Sequence, residues 1–140
     1  MTKLRLLSVL SVLGGALSLA AGAAQAADLP AGHAAAGAEL FHQCMGCHAV
    51  GPSAQNGVGP ELNGVVGRHA AGAPGFRYSS AMKASGLTWD TASLSRFLQS
   101  PADAVPGTRM GFSGLAQPQE RADVIAYLQQ YGQDGQHSGK

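Results

Sequence analysis

Apolar and small residues recur at a helical period near the start of the globular part of this chain. Gly37, Phe41, Cys44 and His48 follow one another at spacings of four, three and four residues. This spacing places the four residues on one face of a helix. The pattern predicts a first helix over residues 34–47.

Three further stretches carry helical signals. Residues 78–85 predict a short helix. Asp90 is a favourable N-cap for the next helix, which must end before Pro101 because a residue that precedes proline avoids the helical conformation. The last helix is predicted to begin near Pro118 and to end at Gly132.

Long segments rich in glycine separate these helices, notably residues 51–75 and 102–114. No segment shows the alternation of a β-strand, so the sequence predicts an all-α fold of short helices and long loops. Loops of this length are unusual in a compact domain unless they enclose something. The small and polar residues 133–140 predict a disordered tail.

The first 26 residues have the order of a secretory signal peptide. Lys3 and Arg5 precede an apolar run over residues 6–21, and Ala24-Gln25-Ala26 is a small-x-small cleavage pattern. A retained membrane anchor is the alternative, but the run is short for a membrane span and contains glycine. We therefore expect export to the periplasm, with no stable membrane insertion after cleavage.

The 140-residue chain has room for one small domain, predicted at residues 37–132 after a lead-in segment over residues 27–36. Removing Lys3 and Arg5 with the signal peptide leaves 7 basic and 8 acidic residues, so the net charge falls from +1 to about −1. Nucleic-acid binding requires a clustered basic patch, which the sequence lacks. With so much glycine the domain can bury only a limited apolar core, and a large flat cofactor would complete it.

Both cysteines lie in the segment Cys44-Met45-Gly46-Cys47-His48, which is the C-x-x-C-H signal for attachment of a c-type haem. Two thiols three positions apart on a helical turn can add to the two vinyl groups along one porphyrin edge. The histidine that follows then reaches the iron. The motif predicts one covalently bound haem c per chain, attached through Cys44 and Cys47, with His48 as an axial ligand.

Three other interpretations of the cysteine pair are open at this point. Exported proteins form disulfides, a redox dithiol can have the same spacing, and a cysteine pair can be half of a zinc site. However, a redox dithiol usually accompanies a βαβ pattern, and a zinc site needs a second pair of ligands; neither is present. The export signal favours haem, because c-type haem is attached outside the cytoplasm.

The candidates for the second axial ligand are Met45, Met82, Met110, His33, His42, His69 and His137. Met45 and His42 belong to the attachment helix and cannot reach the opposite face of the haem, and His137 is in the predicted tail. Met110 lies in a loop where Pro106 and Gly107 let the backbone run close to a flat cofactor. We favour Met110, with simple core packing as the alternative.

From Gly37 to about Tyr131, the chain resembles the class I cytochromes c of bacteria and mitochondria. The motifs that carry the resemblance agree with the family in order and spacing: Gly59-Pro60-Glu61-Leu62-Asn63-Gly64, Gly67-Arg68, Ala73-Pro74-Gly75-Phe76-Arg77-Tyr78, Leu87-Thr88-Trp89, residues 106–110 with Phe112 and Gly114, and residues 120–128 with Tyr127. The resemblance implies the class I cytochrome c fold, wrapped around one haem.

The resemblance also implies roles for individual residues. The Pro60 carbonyl would accept a hydrogen bond from His48, which would fix the tautomer of the imidazole. Arg68, Tyr78 and Trp89 would contact the haem propionates, whose carboxylates need hydrogen-bond donors when buried. Phe97 and Phe112 would support the haem pocket, and Gly37 and Phe41 would pack the first helix against the last near Tyr127.

The sequence departs from the family at two points. Phe97 and Met82 stand where many relatives have a tyrosine and an asparagine, so two polar contacts near the iron are missing. Family members often dock through a ring of lysines, whereas the mature chain contains only Lys83 and Lys140. We hypothesise that Phe97 alters the reduction potential, and that charge steering of partners is weak.

The resemblance implies an electron-transfer protein and not an enzyme: a monomeric one-electron carrier that exchanges electrons with redox partner proteins. Two alternatives stay open. The chain could be an electron-transfer subunit of a periplasmic dehydrogenase or oxidase complex, or a haem enzyme with an open sixth coordination position.

Overall fold

The computed structural model describes residues 29–138. The predicted signal peptide lies outside this range. Helix α1 spans Ala34–Phe41 and continues into one 3₁₀ turn over His42–Cys44. Four helices follow: α2 (Ser80–Ala84), α3 (Thr91–Gln99), α4 (Pro101–Ala104) and α5 (Pro118–Leu128).

Residues 29–138 contain no β-strand, and their only β-type pairings are two isolated bridges, His69 with Thr88 and Tyr131 with His137. The prediction of an all-α fold with long loops is therefore confirmed. Within the same residues, no helix is long and apolar enough to cross a membrane.

The packing of α1 against α5 brings the two ends of the domain together. The side chain of Phe41 is 2% exposed, and its ring centroid lies 5.2 Å from that of Tyr127. At Gly37 the two helix backbones meet directly, since an added Cβ would lie 1.9 Å from the carbonyl oxygen of Asp123. Only glycine permits this approach, so the predicted contact of Gly37 and Phe41 with the last helix is confirmed.

Local signals account for where the middle helices begin. The Asp90 carboxylate accepts the backbone N–H of Ser93 at 2.7 Å, and the Ser93 hydroxyl accepts the backbone N–H of Asp90 at 2.9 Å. This reciprocal pair is a capping box, and it confirms the predicted start of α3. In α2, Ser79 is the N-cap and accepts the backbone N–H of Met82.

Several helix boundaries differ from the sequence prediction, and the helix predicted over residues 78–85 is confined to Ser80–Ala84. The first helix tightens to 3₁₀ geometry after Phe41, as helix ends often do. The sequence predicts loop from residue 102, whereas Pro101–Ala104 forms α4, because Pro101 is pre-set for a first helical position. Helix α5 ends at Leu128 rather than at Gly132.

The residues after α5 return towards the helix end. The backbone N–H of Ser138 donates to the carbonyl of Gln130 at 2.7 Å, and the N–H of Gly132 donates to that of Gln136 at 3.1 Å. The sequence predicts a disordered tail from residue 133, whereas residues 133–138 form a hydrogen-bonded turn. Backbone hydrogen bonds of this kind do not depend on side-chain pattern, so composition alone does not reveal them.

Candidate functional site

One backbone turn holds the three residues of the attachment motif. The N–H groups of Cys47 and His48 donate to the carbonyl of Cys44 at 3.1 and 2.9 Å. The two cysteines do not form a disulfide with each other, and both line the same cavity as His48. Burial raises the pKa of the Cys44 thiol, and the neighbouring Cys47 adds to the rise. The turn presents two thiols and an imidazole to one space, as covalent haem attachment requires.

His48 is held by the loop that follows it. Its Nδ1 lies 2.7 Å from the carbonyl oxygen of Pro60. A carbonyl can only accept, so Nδ1–H is the donor, and the neutral ring keeps its lone pair on Nε2. Burial lowers the pKa of His48, while the hydrogen bond to Pro60 works in the opposite direction. The ring is therefore a neutral nitrogen donor, the form that binds iron.

A set of hydrogen bonds fixes the Pro60 loop to the attachment turn. The N–H of Gly59 donates to the carbonyl of Cys47 at 2.9 Å. The buried amide of Asn63 donates to the carbonyl of Gly51 at 2.9 Å and accepts its N–H at 2.8 Å. Asn63 lies in the Gly-Pro motif, but no signal in the sequence indicates its role. Its hydrogen bonds hold Gly51 close to Asn63, and these residues meet only because the loop between them folds back on itself.

The cavity beside His48 has a volume of about 560 Å³, within the range of cofactor pockets. Its walls are mainly apolar, and α1, α2, α3 and α5 all contribute residues to them. The apolar lining residues are Phe41, Val58, Leu62, Val65, Phe76, Met82, Trp89, Leu94, Phe97, Leu98, Met110, Val124 and Leu128. A large flat apolar ring attached at Cys44 and Cys47 fits a cavity of this size and lining.

Two of the seven candidates for the second axial ligand line this cavity, Met110 and Met82. Met110 is half-buried, whereas Met82 is 8% exposed and belongs to the core. The backbone N–H of Met110 donates to the Thr108 hydroxyl at 3.3 Å, which links the ligand candidate to its own loop. Met45 is 59% exposed and lies on the attachment turn.

Arg68, Tyr78 and Trp89, which the resemblance assigns to the haem propionates, all line the cavity. The Tyr78 hydroxyl accepts the backbone N–H of Ala73 at 3.1 Å. Arg68 already has a partner in the structure, because its Nη1 lies 2.7 Å from Oε1 of Glu61. No motif in the sequence indicates this ion pair.

The two phenylalanines assigned to the haem pocket behave differently. Phe97 lines the cavity and packs on Trp89, with ring centroids 5.0 Å apart. Phe112 packs against the hydrophobic core but is not among the cavity-lining residues. The structure therefore brings Phe97 to the site and leaves Phe112 at the core, beside the loop of Met110.

A helical turn with two thiols and a neutral histidine, facing an apolar cavity enclosed by short helices and long loops, defines a c-type cytochrome. A family model described as cytochrome c matches residues 34–132. The chain belongs to the cytochrome c family.

Individual relatives agree with this assignment. The chain is 51% identical over 125 residues to cytochrome c2 of Rhodomicrobium vannielii, which covers 89% of this chain and 96% of the relative. It is 45% identical over 126 residues to cytochrome c-554 of Methylosinus trichosporium, covering 90% and 96%. The solved structure of cytochrome cH from Methylobacterium extorquens superimposes with a TM-score of 0.67 at 49% identity, covering 70% of this chain and 98% of that one.

The fold is that of the class I cytochromes c, and the chain carries one covalently bound haem c, to which Cys44 and Cys47 fit as the attachment residues. The protein transfers electrons to and from redox partner proteins and is not an enzyme.

Proposed function

We propose that this protein is a soluble, monomeric, periplasmic one-electron carrier whose haem iron is bound by His48 and Met110. The observation that carries the proposal is the hydrogen bond of 2.7 Å between His48 Nδ1 and the Pro60 carbonyl, which leaves Nε2 as the donor nitrogen. Met110 supports the second half of the ligand pair, since it lines the same cavity and belongs to a loop.

Haem supplies a centre that takes up and releases one electron. The chain's own residues keep that centre in one arrangement. Pro60 fixes the orientation of His48, and the apolar walls exclude water and other small ligands. Ligation by histidine and methionine favours a high reduction potential compared with other axial pairs. With His48 and Met110 both bound to the iron, oxygen and peroxide would have no site at it.

The proposed periplasmic location is based on the predicted signal peptide. The charged start, the apolar run and the cleavage pattern over residues 1–26 are those of a secretory signal. Fractionation of cells, with sequencing of the N-terminus, tests this part. We expect a periplasmic protein that begins at Ala27; a cytoplasmic or membrane-bound protein that retains residue 1 would contradict it.

The ligand pair is tested with two matched variants, Met110→Leu and Met82→Leu. Both substitutions remove a thioether from the same cavity and keep an apolar side chain of similar size. We expect Met110→Leu to abolish the weak red charge-transfer band of the ferric protein and to allow tight cyanide binding. Met82→Leu should retain the band. Loss of the band in Met82→Leu alone would assign ligation to Met82. Absence of the band from the unsubstituted protein would show that no methionine binds the iron, and would contradict the proposed ligand pair.

A further inference from the structure

Glu61 and Arg68 form an ion pair beside the haem cavity, and Arg68 is the member of the pair that lines it. Nη1 of Arg68 lies 2.7 Å from Oε1 of Glu61, and the two side chains are only 13% and 16% exposed. Within residues 29–138 this is the one ion pair between a carboxylate and an arginine or lysine. Arg68 lines the cavity, so the pair stands where a fixed charge acts on the haem.

Arg68 uses one side of its guanidinium to bind the Pro60 loop. Nη1 donates to Oε1 of Glu61 and, at 3.1 Å, to the carbonyl of Asn63, while Nη2 donates to the carbonyl of Glu61 at 2.7 Å. A guanidinium has five N–H groups. In the described part of the chain, the Nε–H and one Nη2–H of Arg68 therefore remain for another acceptor. Two N–H groups on a planar guanidinium suit a carboxylate.

Glu61 is itself held in place by its neighbours. Its Oε2 accepts the backbone N–H of Asn63 at 2.7 Å, and its own N–H donates to Oδ1 of Asn56 at 3.0 Å. The Asn56 amide in turn donates to the carbonyl of Pro74 at 2.8 Å. Because the carboxylate is fixed, the arginine bound to it is fixed as well.

We propose that Glu61 is a positioning residue: it orients Arg68 towards the haem carboxylates and, through its negative charge, lowers the reduction potential of the haem iron. Reduction adds one electron to the iron, and a fixed carboxylate in a partly dry wall opposes that added negative charge. Arg68 alone would favour the reduced state. Pairing with Glu61 offsets this effect while the donors of Arg68 stay aimed into the cavity.

The charge part of the proposal is tested with Glu61→Gln, which keeps the shape of the side chain and removes its charge. Glu39→Gln is the matched control, because the Glu39 side chain is 83% exposed and its charge is screened by water. The readout is the midpoint potential of the haem-loaded protein at neutral pH. In Glu61→Gln we expect the ferrous-to-ferric ratio at a fixed ambient potential to rise about three- to tenfold, where tenfold corresponds to about 59 mV.

Glu39→Gln should change that ratio by less than about twofold, as expected for an exposed charge. Equal shifts in the two variants, or a lower potential in Glu61→Gln, would overturn the charge part.

The positioning part has its own readout, the hydrogen exchange of the Arg68 Nε–H in the ferrous ¹⁵N-labelled protein. We expect this exchange to be at least about tenfold faster in Glu61→Gln than in the unsubstituted protein or in Glu39→Gln. Unchanged exchange would overturn this part.

Glu61→Asp serves as a second variant, which also covers failure of Glu61→Gln to fold. It retains the charge but is one methylene shorter, so it should speed the exchange of the Arg68 Nε–H while the ferrous-to-ferric ratio at a fixed ambient potential changes by less than about twofold. A potential shift as large as that expected for Glu61→Gln would overturn the assignment of the effect to charge.

Discussion

The imidazole of His48 packs directly against Gly59, so closely that a Cβ at position 59 would lie 2.4 Å from Cε1 of the ring. Gly59→Ala must therefore displace either the ring or the loop that carries Pro60. We expect a loss of about 1–3 kcal/mol in the free energy of unfolding, the usual cost of overpacking. Guanidinium unfolding of the haem-loaded protein measures it.

Gly57→Ala is the control for this prediction. A Cβ at position 57 would lie 3.5 Å from the carbonyl oxygen of Cys47, an ordinary contact. Equal stability of the Gly59→Ala and Gly57→Ala proteins would show that the contact with His48 is not restrictive.

The crossing of α1 and α5 predicts the effect of Gly37→Ala. In an unhindered helix this change stabilises by about 1 kcal/mol, because alanine has the higher helix propensity. Here the new Cβ would lie 1.9 Å from the Asp123 carbonyl oxygen, so we expect destabilisation. Thermal unfolding followed by circular dichroism measures the change. Ala36→Gly, an exposed position of the same helix, reports the propensity alone, and Gly37→Ala should be the less stable of the two.

Asp123 makes the α1–α5 contact depend on pH. Its Oδ1 accepts the backbone N–H of His33 at 2.7 Å and the side-chain N–H of Gln119 at 2.8 Å. These bonds, that of His33 first, hold the pKa of the Asp123 carboxyl below its ordinary value of 3.8. The folded protein thus favours the carboxylate more than the unfolded chain does. The resulting stability is present above pH 3.8 and is lost as the pH falls through the lower folded pKa.

We therefore expect Asp123→Asn to have a lower free energy of unfolding than the unsubstituted protein at pH 7. The two free energies should approach each other as the pH falls below about 4. Denaturant unfolding at several pH values tests this expectation. Glu39→Gln, on the exposed side of α1, should show no such convergence. A difference that stays constant down to pH 2 would contradict the prediction.

Phe97→Tyr introduces a hydroxyl into the cavity that Met110 also lines. Phe97 is 7% exposed, so the hydroxyl cannot reach bulk water and will seek an acceptor inside, such as the Met110 sulfur. A hydrogen bond to the sulfur would weaken its donation to ferric iron. We expect a higher reduction potential and alkaline ligand exchange at lower pH. Phe76→Tyr, in a half-buried part of the cavity wall, is the control. If Phe97→Tyr changes neither the reduction potential nor the pH of alkaline ligand exchange, the expectation is contradicted.

Electron transfer should depend only mildly on salt. Of the arginine and lysine residues in the described part of the chain, Arg68 and Arg121 bind backbone carbonyls inside the protein. The exposed cations are Arg77, Lys83, Arg96 and Arg109. The rate of oxidation by hexacyanoferrate(III), followed by stopped flow, should change by less than about threefold between low and high salt, a smaller change than strong charge steering would produce. A steep fall would contradict this, and Gln43→Lys should steepen the dependence.

Features set by neighbouring residues could be predicted from the sequence. The C-x-x-C-H turn and the Asp90 cap of α3 are each formed by a segment of no more than five consecutive residues. Their structure could therefore be predicted from the local sequence. The crossing at Gly37 was accessible only through the family resemblance, because its partner is on the last helix.

Features set by the path of the loops could not be predicted in this way. The bonds between Asn63 and Gly51, and the ion pair of Glu61 with Arg68, depend on how residues 51–68 fold back on themselves. The position of Phe112 could not be predicted for a different reason. A residue two positions from a cavity-lining methionine can face the core instead, and sequence distance does not reveal which side it takes.

The contact between α1 and α5 joins two segments at opposite ends of the domain, while the long loops between them connect without forming a second core. A single break of the chain within residues 70–79, for example by a protease, would divide the protein into two pieces. Each piece would carry one side of the contact at Gly37, and the piece with Cys44 would keep the haem. The two surfaces of this contact therefore come from opposite sides of residues 70–79, so neither half of the chain can form the contact alone.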